Sequence, residues 1–161
     1  MLLFLKFTLA IALLLIVLQD FKHQLVWWFL FPIIGLCGGW LFKDAVSWSD
    51  FGIQILVNLV LILVIIGMLF LYSKWKLKRK FLNDTFGAGD LLFFLAFALC
   101  FPTLIFLNFF VFSLLFSMII SLFLRFRFGR VSIPLAGAMA LFLLGVYLSS
   151  WLGWSPGLYQ L

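Results

Sequence analysis

Charge is the scarcest property of this sequence: 10% of its 161 residues are Asp, Glu, Lys or Arg, against about 25% in soluble domains. That scarcity, beside an apolar content of 67%, excludes an ordinary water-soluble globule. Glutamate is absent and histidine occurs once, as His23, which leaves too few ligands for a metal site. The two cysteines, Cys37 and Cys100, stand singly inside apolar stretches, so neither a disulfide framework nor a zinc module is indicated. No Ser/Pro-rich linker and no internal repeat divides the chain, and residues 1–161 read as one polytopic membrane domain.

What the chain does have is long apolar sequence. A bilayer-spanning helix needs roughly 20 apolar residues, and a charge at mid-bilayer costs about 2.5 to 3.5 kcal/mol on insertion scales. Charge-free runs therefore mark the spans; they cover residues 7–19, 24–42, 51–73, 91–124 and 131–161. The fourth run, 34 residues long, exceeds one crossing, and Pro102 is its natural break because proline lacks the N–H that a helix interior uses. The expected fold is an all-α membrane protein, a bundle of six transmembrane helices near 2–19, 26–42, 51–73, 90–101, 103–124 and 131–152. The opening stretch has neither the basic start nor the small-residue cleavage pattern of a signal peptide, so it is expected to stay as helix 1.

Six alternating helices put nine of the eleven basic residues on one side. These are Lys22, the cluster Lys74, Lys76, Lys78, Arg79 and Lys80, and the arginines 125, 127 and 130; Lys6 and Lys43 fall opposite. The positive-inside rule makes the rich side cytoplasmic and places both termini outside. A re-entrant fourth segment would send the three arginines outward, so a true crossing is favoured. Residues 74–80 form a juxtamembrane basic run with one aromatic; contact with anionic lipid, at about 1 kcal/mol per basic residue near the surface, is favoured over nucleic-acid binding. The seven tryptophans cluster near span ends, as an interfacial belt requires.

Of the five acidic residues, Asp44, Asp50 and Asp84 read as solvated loop charges. Asp20 ends helix 1 where it reaches the cytoplasm, and Asp90 starts helix 4 where it leaves, so two carboxylates 70 positions apart in sequence can meet at one depth. An ionisable group at such a place is a functional-site candidate. Taken singly, Asp90 reads as an N-cap and Asp20 as a partner of Lys22 or His23. Gly87 and Gly89 immediately precede Asp90, and glycine there permits positive φ and close approach of another chain. His23, Gly87 and Gly89 are accordingly candidates for supporting the site or binding substrate. Gln54, Asn58 and Asn108 are expected to make interhelical hydrogen bonds, and Gly35, Gly38 and Gly39 to permit close helix packing.

Gly87-Ala88-Gly89-Asp90 opening a membrane helix, with Asp20-Phe21-Lys22-His23-Gln24-Leu25-Val26 ending helix 1, resembles the type IV prepilin peptidase family of GxGD intramembrane aspartyl proteases. Ile133-Pro134-Leu135-Ala136-Gly137 is similar to the proline-containing start of that family's last helix. The chain departs from the family at Val26-Trp27, where an Ile-Pro pair is usual, and at Leu92, where a lysine is common; the cytoplasmic extension with paired cysteines found in the long members is absent from this sequence. The resemblance implies an aspartic endopeptidase with Asp20 and Asp90 as catalytic pair and no cofactor. The implied substrate is a pilin-like precursor whose leader precedes a membrane helix, cut at the cytoplasmic face of a bacterial or archaeal inner membrane. A non-catalytic assembly protein of the same fold and a small transporter are the competing readings. A Ser-His-Asp or Cys-His set would have to use His23, and no serine or cysteine has a cue placing it nearby.

Overall fold

The structure, a computed structural model, describes residues 1–23, 25–72, 74–75, 87–128, 134–154 and 158–159. Within them lie six helices and no strand: α1 (Leu2–His23), α2 (Leu30–Ala45), α3 (Trp48–Tyr72), α4 (Ala88–Ala98), α5 (Thr103–Phe128) and α6 (Leu135–Trp151). Helix is the form such a sequence must take, because the hydrocarbon core offers no water to backbone N–H and C=O groups and a helix pairs them within one segment. Three helices, α1, α3 and α5, are long and apolar enough to cross a membrane. The others are shorter, and α4, with 11 residues, extends only about 16 Å against a hydrocarbon core of about 30 Å. Helix α4 is therefore too short to span such a core by itself.

Most helix boundaries differ from expectation by two to four residues, and those of α1 and α2 show why. Helix α1 continues through Asp20 to His23, because loss of apolar character marks the edge of the lipid, not the end of the hydrogen-bonded helix. Helix α2 begins four residues later than expected, at Leu30. Trp28 and Phe29 form a turn before it, closed by the Leu30 amide donating to the Trp27 carbonyl at 3.1 Å, and the Trp27 amide donates to Gln19 Oε1 at 3.0 Å.

Aromatic packing fills the centre. The Phe97 ring lies 5.7 Å, centroid to centroid, from both Phe101 and Phe106 and 5.9 Å from Phe110, mostly edge to face, the arrangement the ring quadrupoles favour. Helix α6 enters this core with Ala136, Gly137, Ala138, Met139 and Ala140 all buried; small side chains let neighbouring backbones approach where lipid supplies no hydrophobic drive between helices. The expected role of the α2 glycines is seen directly. A Cβ at Gly35 would stand 3.6 Å from the Ala96 Cα, one at Gly39 would stand 3.3 Å from the Leu99 carbonyl oxygen, and one at Gly38 would collide with Cys100 Sγ. Both cysteines are free and buried.

The break between α4 and α5 falls at Pro102, as expected, and α3 repairs it. Proline cannot donate to the Ala98 carbonyl four residues earlier. Asn58 Nδ2, fully buried on α3, donates instead to the carbonyls of Ala98 at 3.0 Å and Phe101 at 2.9 Å. Gln54 Oε1 accepts from the Thr103 amide at 3.2 Å, satisfying an orphan donor at the start of α5. Asn108 does not behave as expected. It is exposed on the outer side of α5, because Phe106 and Phe110, two residues to either side, hold the buried face.

The same contacts fix the direction of the helices. The start of α3 meets the start of α5 through Gln54 and Thr103, and Lys6 of α1 lies over Trp151 at the end of α6, 5.7 Å from its ring. The C-terminal ends of α1, α3 and α5 thus share the other end of the bundle, which carries Lys22, Lys74, Arg125 and Arg127. The rest of the basic run 76–80, with Asp84 and Arg130, lies outside the described residues. Six tryptophans, at positions 27, 28, 40, 48, 75 and 154, are exposed at or near helix ends.

Candidate active site

Helix α6 begins with an unfilled need. Among the described residues its first backbone bond runs from the Ala138 amide to the Pro134 carbonyl, so the amides of residues 135, 136 and 137 have no partner within the helix. Pro134, at the N-cap, has no side-chain donor or acceptor and makes no side-chain cap bond. Carboxylates from two other helices take up two of those amides. Asp20 Oδ2 on α1 accepts from the Gly137 N–H at 2.6 Å, and Asp90 Oδ1 on α4 accepts from the Ala136 N–H at 3.1 Å.

Adjacent amide nitrogens are held within about 4 Å by covalent geometry, so these two bonds bring the carboxylate oxygens to within about 10 Å of each other at most. Asp20 is 8% exposed and Asp90 is partly buried. Both sit at the positive end of the α6 dipole, which favours negative charge. The arrangement places two acids, one helix start and no basic side chain in direct contact with either carboxylate among the described hydrogen bonds.

The expectations for single residues need correction in three respects. Asp90 is not the N-cap of α4; Gly87 is, and Asp90 stands three residues further on, where its carboxyl reaches back to the Gly87 amide in the manner of a capping box. Asp20 turns inward to α6, whereas Lys22 and His23 are exposed. Neither glycine uses positive φ: Gly87 is extended, with φ −71° and ψ 138°, and Gly89 lies in the first turn of α4. The absence of a side chain at Gly87 matters for space, since a Cβ there would stand 3.1 Å from Asp90 Oδ2. A Cβ at Gly89 would meet only the tip of the Phe31 ring, at an ordinary 3.6 Å.

Ala136 and Gly137 are the site residues that reasoning from residue chemistry missed. Their contribution is a pair of backbone N–H groups, which no side-chain pattern announces. The available signal was Pro134 followed by small residues, a combination that starts a helix and lets other chains come close to it. Among the described residues no three His, Cys, Asp or Glu side chains gather as a metal site would need. In comparison with known proteins, the chain matches no family model, no curated protein and no solved structure.

Proposed function

We propose that this membrane protein is an aspartic endopeptidase that removes the leader of a type IV prepilin-like precursor at the cytoplasmic face. The observation that carries the proposal is the meeting of Asp20 and Asp90, 70 positions apart in sequence, on consecutive amides of α6. Supporting it is the shortness of α4, too short to span the hydrocarbon core, so that one end of it is proposed to lie below the membrane surface. The basic residues on the C-terminal ends of α1, α3 and α5 favour a cytoplasmic position for this end of the bundle and external termini. The basic run 74–80 is proposed to hold anionic lipid.

In the proposed mechanism the two carboxyls, gathered on adjacent amides, share one proton, which equips the pair for acid–base chemistry. In the proposed reaction, the ionised carboxylate removes a proton from water as its oxygen attacks the scissile carbonyl carbon, and the protonated partner donates to the carbonyl oxygen. The tetrahedral gem-diol then collapses: one of its hydroxyls gives its proton to the carboxylate that had protonated the carbonyl oxygen, and the C–N bond breaks. The nitrogen takes the proton that the other carboxyl had removed from water, and the carboxylic acid and amine leave with the pair again holding one proton. The pair titrates as a unit. Gly87 leaves one side of the Asp90 carboxyl open, and His23 lies exposed one helical turn beyond Asp20, where a precursor would arrive from the aqueous side.

One observation favours a second reading, a non-catalytic assembly protein. Helix α6 has no side-chain cap of its own, and two aspartates could be present solely to cap it. Asparagine separates the two roles, because its side-chain oxygen still accepts a bond from an amide but cannot exchange a proton as a carboxyl does. With a co-expressed pilin-like precursor, Asp20→Asn and Asp90→Asn are each expected to accumulate in the membrane and to leave the leader attached, read by gel mobility. Normal processing in both variants rejects the aspartyl mechanism; loss of ion flux in both, with normal processing, supports the transporter reading.

A further inference from the structure

We infer that Gly137 is a positioning residue for Asp20: its bare Cα and its N–H together set where that carboxylate stands. The inference deepens the peptidase reading and rests on it for its catalytic consequence. Two independent observations meet at this residue. The Gly137 N–H makes the 2.6 Å bond to Asp20 Oδ2. A Cβ built on Gly137 would lie 2.8 Å from the Asp20 Cβ, 3.0 Å from its Oδ2 and 3.1 Å from Phe21 Cδ2.

The first of those obstacles is decisive because it is not the tip of a flexible side chain. The Asp20 Cβ is fixed to the α1 backbone, so relieving the contact moves α1 against α6. These two helices pack along each other, and the carboxylate moves with them. Asp90 is held by the neighbouring Ala136 amide, so any displacement of Asp20 changes the spacing of the pair directly. Gly145, two turns along the same helix, has nothing within 4 Å of the position a Cβ would take. The demand for glycine is therefore local to the site and not a property of α6.

The donor itself can be removed without adding an atom. Residue 137 donates to no carbonyl within α6, since the first intrahelical bond belongs to Ala138. Replacing the residue 137 N–H by an ester oxygen, with glycolic acid incorporated in place of Gly137, deletes the bond to Asp20 and removes no N–H donor from the ladder within α6. A charge-assisted bond of this kind stabilises the ionised form of its acceptor. Asp90, held on the neighbouring Ala136 amide, is the other acidic group at this helix start, and it remains in place.

The test uses the intact protein in the membrane with a pilin-like precursor. Gly137→Ala is expected to lower kcat/KM about 100-fold, the order of loss that follows a displacement of about 1 Å in a reacting group; Gly145→Ala is expected to stay within about twofold of the wild type. The ester at 137 is expected to move the acid limb of the pH–rate profile up by about one pH unit, because a carboxylate deprived of a donor ionises less readily. A purely structural glycine would not move that limb. If Gly137→Ala fails to accumulate, the ester variant alone decides. Wild-type kcat/KM in Gly137→Ala, or an unmoved acid limb in the ester variant, overturns the inference and leaves the peptidase reading standing. If the wild type itself does not cleave, the peptidase reading falls, and titration of 13C-labelled aspartate carboxyls decides the role of Gly137: an upward shift at Asp20 in the ester variant upholds positioning, and no shift overturns it.

Discussion

Replacing Asn58 by leucine removes the clamp that joins α3 to the break between α4 and α5. Both Nδ2 bonds, at 3.0 Å to Ala98 and 2.9 Å to Phe101, are lost in a fully buried setting. Interhelical hydrogen bonds in a membrane protein average about 0.6 kcal/mol and reach about 1.7 kcal/mol. The Ala98 carbonyl belongs near the upper limit, because Pro102 denies it the usual helical donor and no lipid molecule can replace Asn58. Against this, Asn58 Oδ1 is itself buried without a partner among the described residues, and leucine relieves that cost. The net expectation is a loss of about 1 to 2 kcal/mol, measured as reduced stability in a detergent-unfolding titration. Hydrogen exchange should rise first at the junction of α4 and α5. A variant as stable as the wild type, or more so, would refute the view that α3 is held by this polar clamp rather than by apolar packing.

Asn108→Leu on the exposed side of α5 is the matching control, and the same unfolding titration should find it unchanged within about 0.5 kcal/mol, as for surface changes in general. Phe97→Ala removes the ring at the centre of the aromatic cluster. Filling of the void by lipid is prevented by the surrounding helices, so a cavity of roughly 100 Å³ at about 24 cal/mol per Å³ should cost about 2 kcal/mol, and an undiminished thermal midpoint would count against a tightly packed centre. Gly38→Val should fail to accumulate in the membrane, because even a Cβ collides with Cys100 Sγ; normal accumulation would mean that α2 and α4 are free to separate.

Much of the fold was legible because lipid imposes a simple rule. Uninterrupted apolar stretches located all six helices, and a single proline located the break between α4 and α5. The ends were less legible, since the apolar run in α1 stops at Gln19 while the helix continues to His23. Rotation about the helix axis was the least legible property. A helix that is apolar all round gives no contrast between its faces, and so Asn108 was expected to face another helix although it is exposed. On α5 the polar residues hold the answer: Ser113, Ser117 and Ser121, spaced four apart and all buried, continue the face begun by Phe106 and Phe110, and Asn108 lies off that line.

The candidate site was legible as two acids at one depth and no further. Depth follows from counting residues along each helix, whereas direction depends on which helices become neighbours. What draws Asp20 and Asp90 together is the start of α6, whose unpaired amides attract any carboxylate within reach. The need for those amides is written in Pro134, which ends one segment and supplies no cap. Gly137 has the same character: its importance comes from what approaches it, α1 with Asp20, and that approach is a tertiary fact.

The account depends on Asp20 and Asp90 acting as one chemical unit, and the most direct measurement is the cleavage rate of a pilin-like precursor in Asp20→Asn, Asp90→Asn and the double variant. Groups that share a proton are non-additive, so each single substitution should reduce the rate to the level of the double. Substantial cleavage by either single variant, with a further loss on combining the two, would contradict it.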